Sequence, residues 1–217
     1  MLSRRLPVYL LLDVSGSMSG APIEAVNEGL QVFAQSIKSE APALETIHVS
    51  IITFGGSVNQ LCSMVPAGEF TPPRLTAVGS TPMGEALFCL DSCIDSEVRL
   101  ISDEDKADYK PLVFLFTDGY PTDGQKYKEA MIKLERRTRT KLANIIGLAA
   151  GPDANLDLLK EIGGTVLRMT DMNRDTISEY FAWVSQSAVE ASCVASAEGD
   201  KKPVPLLPPP PCIEIML

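Results

Sequence analysis

The stretch LLLDVSGSMSGAPIEAVNEGL, residues 10–30, decides how the rest of the chain is read. A run of aliphatic residues stops at Asp13 and passes into Ser15, Gly16, Ser17, Ser19 and Gly20, more small polar residues than one turn requires. Upstream, PVYLLLD (7–13) is apolar on both faces, which marks a central strand covered above and below. Downstream, Ile23, Val26, Leu30, Phe33 and Ile37 recur at alternating intervals of three and four. Pro22 suits a first helical turn, so an amphipathic helix follows. The serine-rich loop therefore stands at the carboxyl end of a strand, where doubly wound sheets gather ligands.

The same alternation continues along the chain. TIHVSIITF (46–54) and SVNQLCSMV (57–65) are separated only by Gly55 and Gly56, which predicts an antiparallel hairpin at a sheet edge. Met83, Leu87, Leu90, Ile94 and Val98 mark a second helix, with Thr81 and Pro82 at its cap and first turn. PLVFLFTD (111–118) reads as a strand, then a helix near 124–138, a strand at 142–149, a helix near 155–162, a strand at 165–170 and a helix near 174–191. The expected fold is α/β: a doubly wound, mostly parallel six-stranded sheet with one antiparallel edge strand and helices on both faces. Residues 1–192 form its single domain. Residues 193–217 change composition, and AEGDKKPVPLLPPPPCIEIML is too rich in proline for helix. A mobile tail is expected there, although Ile213, Ile215, Met216 and Leu217 are apolar enough to dock on the domain or on a partner's sheet edge.

Composition bounds the function. With 217 residues, 45% hydrophobic and 22% charged, the chain is long enough for one sizeable core and matches a soluble globular protein. A net charge of -9 repels phosphate backbones and anionic lipid, which argues against nucleic acid and membrane surfaces as partners. The five cysteines are odd in number and contain no CxxC pair, so neither a disulfide framework nor a structural zinc site is expected, and a reducing compartment fits. Cys89 and Cys93, one helical turn apart, read as small residues on a buried helix face. Arg4 and Arg5 precede an apolar run, but Pro7 and Asp13 bracket only five apolar residues, which suits a buried strand rather than an export signal. A cytoplasmic protein is the expectation. DEDKADY (103–109) reads as a solvated acidic surface stretch.

Three loops carry the candidate chemistry: the first holds Asp13, Ser15 and Ser17, the second, VGSTPMGEAL, holds Thr81, and the third, FTDGYPTDG, holds Asp118. Each alone is an ordinary turn or cap. Together they suit a hard cation such as magnesium, which takes six oxygen ligands at about 2.0–2.1 Å and commonly keeps some waters. Asp13, Ser15 and Ser17 alternate, so their short oxygens can turn to one side while Gly16 lets the backbone curl. Two carboxylates balance a divalent ion and the neutral hydroxyls add no charge, so the ion stays electrophilic. An open coordination position would then accept a carboxylate from another molecule.

DVSGSM after an apolar strand, GSTPMGEAL before a helix and LFTDGYPTDG after the central strand resemble the three loops of a von Willebrand factor type A domain. The resemblance implies a metal-ion-dependent adhesion site at Asp13, Ser15, Ser17, Thr81 and Asp118, holding Mg2+ (Mn2+ or Ca2+ as other occupants). It also implies a protein partner that presents an Asp or Glu to the ion. Within that family, YKPLVFLFTDGYPTD and LDVSGSMSGAPI are similar to bacterial TerY-like proteins associated with tellurium resistance. That likeness implies an adaptor beside a protein-serine/threonine kinase and a phosphatase in stress or phosphorylation signalling. Thr117, Glu85 and Asp123 lie close to the three loops as residues that support the ligands or meet the partner, with a surface turn as the plainer reading of Asp123.

Enzyme chemistry finds less support. A magnesium-dependent phosphoryl-transfer enzyme using Asp13 as nucleophile is the alternative, but such chemistry usually needs a carboxylate two positions on, where this chain has Ser15. No GxSxG elbow, Walker A loop or GxGxxG loop is present, and His48 sits inside a strand as a sheet residue. AAGPDANLDLL reads as a strand-to-helix connection. The expectation is a binding module rather than an enzyme.

Overall fold

Strand β1, Leu6–Asp13, is buried along its whole length, and its side chains alternate between two cores. Val8, Leu10 and Leu12 enter one, while Tyr9 and Leu11 enter the other. That alternation is why the run is apolar at every position: a strand covered on both faces has no solvent side. The computed structural model describes residues 4–99, 107–139, 143–152, 154–162, 164–198 and 206–216.

Around β1 the remaining strands are β2 (Ile47–Gly55), β3 (Ser57–Pro66), β4 (Leu112–Thr117), β5 (Asn144–Ala150), β6 (Thr165–Met169) and β7 (Ile213–Met216). They form one seven-stranded sheet in the order β3-β2-β1-β4-β5-β6-β7. β1 pairs in parallel with β2 and with β4, β4 with β5 and β5 with β6, whereas β3 and β7 run antiparallel at the two edges. Gly56, at φ 68°, makes the tight turn of the β2–β3 hairpin where a side chain would be strained. Helices α1 (Ala21–Ser39), α2 (Ala41–Thr46) and α6 (Arg174–Glu198) supply one face, and α3 (Met83–Glu97), α4 (Gly124–Arg139) and α5 (Leu156–Ile162) the other. On the first face Phe114 and Phe116 of β4 meet Tyr180, Phe181 and Trp183 of α6 with ring centroids 5.7–6.3 Å apart. On the second, α3 and α4 touch so closely that a Cβ on Gly84 would stand 2.2 Å from the backbone nitrogen of Tyr127. Among the described residues no helix is long and apolar enough to cross a membrane.

The doubly wound α/β architecture agrees with expectation, and four details differ. The sheet has seven strands rather than six, with both edges antiparallel, because the segment read as a mobile tail returns as β7 beside β6. Ile213 is 4% exposed there, and the indole Nε1 of Trp183 donates to the Leu207 carbonyl at 3.0 Å, fastening the approach to the strand. Burying Ile213 and capping the β6 edge outweigh the freedom of a loose end. α6 also continues past residue 192 to Glu198. α2 had no counterpart in the sequence pattern, since six residues are too few to display a helical period. In the acidic stretch, residues 103–106 lie outside the described residues, and Asp108 is not solvated. Its carboxylate is wholly buried and is held by Arg5 at 2.6 Å and Arg99 at 3.0 Å.

Candidate metal centre

The parallel pairing of β1 with β4 sets Leu12 beside Phe116, so the two strands end together and deliver Asp13 and Asp118 to one place. Asp13 is fully buried and both its oxygens are held. Oδ1 accepts from the Ser15 backbone N–H at 2.9 Å, and Oδ2 accepts from the Thr117 hydroxyl at 2.7 Å. The chain then turns through a single 3-10 turn, Gly16–Met18, anchored by the buried Met18. That turn brings the Ser15 and Ser17 hydroxyls within 3.0 Å of each other, and Ser17 Oγ donates to Asp118 Oδ1 at 2.9 Å. Four of the five expected ligands thus form one hydrogen-bonded chain, with Ser17 on its exposed side.

The second loop is tied down by backbone bonds. Val78 N–H donates to the Val14 carbonyl at 2.7 Å, Gly16 N–H to Gly79 at 2.9 Å and Gly56 N–H to Ser80 at 2.8 Å. These bonds draw the loop across the ends of β1 and β2 and leave Thr81 6% exposed. Thr81 Oγ1 lies 3.5 Å from the position a Cβ on Gly119 would take, next to Asp118. The third loop locks the second: Thr122 N–H donates to the Thr81 carbonyl at 2.9 Å, and Asp123 accepts from the backbone N–H groups of Gly84 at 3.1 Å and Glu85 at 2.9 Å.

Those contacts revise the reading of the neighbouring residues. Thr81 and Pro82 do not cap α3 through a side chain. Pro82 holds the cap position, and the orphan N–H groups of the first turn are met by Asp123 from another loop. Thr117 supports Asp13 directly, and Glu85 forms an ion pair with Lys126. His48 lies half-buried on β2 with Nδ1 3.1 Å from the Thr46 carbonyl, and burial lowers its pKa. Asn27 escaped the sequence reading. It is a buried polar residue on the apolar side of α1, where it clasps Leu75 through both amide atoms, at 3.0 and 2.7 Å. A signal was present: Asn27 stands four residues after Ile23 and three before Leu30, on the stripe that α1 buries.

Electrostatically the cluster is one-sided. Burial pushes the Asp13 carboxyl up to about 6, against hydrogen bonds from Ser15 and Thr117 and with a further push from the Asp118 charge. Burial also raises Asp118, opposed by the Ser17 hydroxyl. Among the described residues no lysine, arginine or histidine forms an ion pair with either carboxylate. No group of three or more His, Cys, Asp or Glu that could hold a metal forms among them either, and what the three loops offer is two carboxylates and three hydroxyls. All of these are hard oxygens, which suit magnesium, manganese or calcium rather than a thiophilic metal, and among the described residues no cationic side chain pairs with the carboxylates.

A family model described as von Willebrand factor type A domain matches residues 8–179. The human inter-alpha-trypsin inhibitor heavy chain H6 is 23% identical over 164 residues, covering 71% of this chain and 12% of that protein. Among solved structures, the von Willebrand factor type A protein from Catenulispora acidiphila superposes with a TM-score of 0.64 at 16% identity, over 87% of this chain and 43% of that one. The manganese-loaded Plasmodium vivax TRAP protein does so with a TM-score of 0.52 at 22% identity, over 73% of this chain and 62% of that one. The chain therefore spans about an eighth of the curated relative's length and less than half of the Catenulispora protein's. A sheet wound around β1, three loops converging beyond its carboxyl edge and a family match over most of the sequence lead to one conclusion: this chain belongs to the von Willebrand factor type A domain family.

Proposed function

We propose that this domain is a metal-dependent protein-interaction module in which Asp13, Ser15, Ser17, Thr81 and Asp118 hold a divalent cation that binds an acidic side chain of a partner protein. The observation that carries this reading is the hydroxyl-linked approach of Asp13 and Asp118 with no cationic side chain against either among the described residues. A buried carboxylate, Asp13, beside the half-buried Asp118, with no cation paired to either among the described residues, is costly, and a divalent ion removes that cost. When bound, the ion supplies Lewis acidity toward a carboxylate from outside. The chain's own residues do the rest. Thr117 and the Ser15 amide hold the Asp13 oxygens in one orientation, Asp123 and Thr122 fix the loop that carries Thr81, and exposed Ser17 keeps the cluster open to solvent. The manganese carried by the TRAP relative supports a divalent occupant, and the hard donor set supports magnesium, with manganese or calcium as substitutes.

The module acts without chemistry of its own: the position two residues after Asp13 is Ser15, and both Asp13 oxygens are already held. The likeness of its loops to TerY-like proteins supports a cytoplasmic adaptor beside a serine/threonine kinase or phosphatase in stress signalling. Calorimetric titration of MgCl2, MnCl2 and CaCl2 into chelator-treated protein tests the reading. One divalent ion should bind per chain, and Asp13→Ala should abolish the heat. Absence of binding by wild-type protein would refute it.

A further inference from the structure

A second cluster stands apart from the three loops. Cys89 and Cys93 lie one turn apart on α3 with their sulfurs 4.0 Å from each other, Cys93 buried and Cys89 half-exposed. The sequence alone read them as packing residues, but their side chains turn toward each other rather than only into the core. The hydrogen bond between the two sulfurs draws the Cys89 thiol down to about 7 against the opposing effect of burial and pushes Cys93 up. A lowered thiol pKa favours the thiolate, the form of cysteine that binds metal.

Two fates for such a pair can be excluded. Side chains four apart on a helix have Cβ atoms about 5–6 Å apart, whereas a disulfide needs them near 3.8 Å, so oxidation to a disulfide would require α3 to unwind. A structural zinc site requires four ligands. Among the described residues no third His, Cys, Asp or Glu joins these two. The acidic residue one turn on, Glu97, is already engaged by the Tyr9 hydroxyl at 3.0 Å, the Gln60 amide at 2.8 Å and the Met64 N–H at 3.3 Å.

What two sulfurs at this spacing can hold is an ion content with two soft ligands. A linear two-coordinate ion with metal–sulfur bonds of about 2.3 Å sets its sulfurs about 4.6 Å apart, close to the 4.0 Å gap seen here. Thiolates select copper(I) among such ions. We propose that Cys89 and Cys93 form a two-coordinate thiolate site for a soft monovalent cation of the copper(I) class. On binding, two sulfur–metal bonds form, the two thiols release to solvent whatever protons they hold, and no electron is transferred.

The test uses the reduced full-length chain and copper(I) held by bicinchoninate as competitor. Wild-type protein should withdraw one more equivalent of copper than Cys89→Ser/Cys93→Ser, and each single substitution should weaken that equivalent at least tenfold. Zinc should not compete for it, and divalent-ion heats at the Asp13 cluster should be unchanged. The half-exposed Cys89→Ser variant serves on its own if the double variant does not fold. Equal copper uptake by wild type and by either variant, or displacement of the copper by equimolar zinc, would overturn the proposal.

Discussion

Replacing Thr117 by valine removes one hydroxyl and leaves the shape of the side chain almost unchanged. The hydroxyl is buried, donates to Asp13 Oδ2 at 2.7 Å and accepts from the Gly119 N–H at 3.3 Å. A hydrogen bond to a charged group contributes about 1.5–3 kcal/mol, so Thr117→Val should lower the stability of the metal-free domain by about 2 kcal/mol. The functional effect is separate. Groups that orient a metal ligand typically contribute 10- to 100-fold in metal affinity. Taking a 30-fold loss, manganese at roughly 100 times the wild-type Kd should stabilise wild type by ~2.7 kcal/mol but the variant by only ~0.9 kcal/mol. For a domain of this size that is a melting shift of roughly 5–10 °C against roughly 2–4 °C. Thermal melts with and without MnCl2, backed by calorimetry, read both numbers, and Thr117→Ser should restore the ion-dependent shift. If the valine variant melts early yet binds manganese within threefold of wild type, Thr117 serves the fold alone and the orienting role is wrong.

Three further outcomes are expected. Burial alone would raise the Asp108 carboxyl, but hydrogen bonds from Arg5 and Arg99 outweigh it and hold it below the usual value. Its stabilisation is therefore fully present above about pH 4 and lost as pH falls through the lower folded-state pKa, so Asp108→Asn should cost about 3 kcal/mol at pH 7 and progressively less toward pH 3. Urea midpoints across that range check this, and a difference that does not vary with pH contradicts it. Asp123→Ala removes the acceptor for two N–H groups of α3 and should lower stability by about 1 kcal/mol, with faster amide exchange at Gly84 and Glu85 than at mid-helix positions. Ile213→Asp should free β7, so that hydrogen exchange accelerates in β6 while β1 and β4 stay protected; protection unchanged in β6 would show that the strand is held by other means.

Much of the architecture was legible along the chain because burial leaves a periodic trace. β1 and β4 contact two cores, and only a residue apolar at every position satisfies both, so PVYLLLD and PLVFLFTD announce central strands. The helices α1 and α3 show one buried stripe each, at intervals of three and four. The five oxygen-bearing residues were also readable, since each follows a strand or precedes a helix at the same edge of a doubly wound sheet.

Other features depend on groups far apart in sequence, and no local pattern encodes them. Asp123 caps a helix that begins 40 residues earlier, and Asp108, in what reads as a solvated acidic run, is buried because Arg5 and Arg99 converge on it. The strand β7 is four residues long, too short for alternation to separate it from a loose end, and it forms only because β6 presents an open edge. The sequence by itself determined which apolar residues are buried and which loops bring oxygen-bearing side chains to the end of β1, since side-chain polarity and spacing set both. Only the tertiary structure decided which polar groups meet, because a hydrogen bond or ion pair depends on a few ångströms of three-dimensional separation that folding alone establishes.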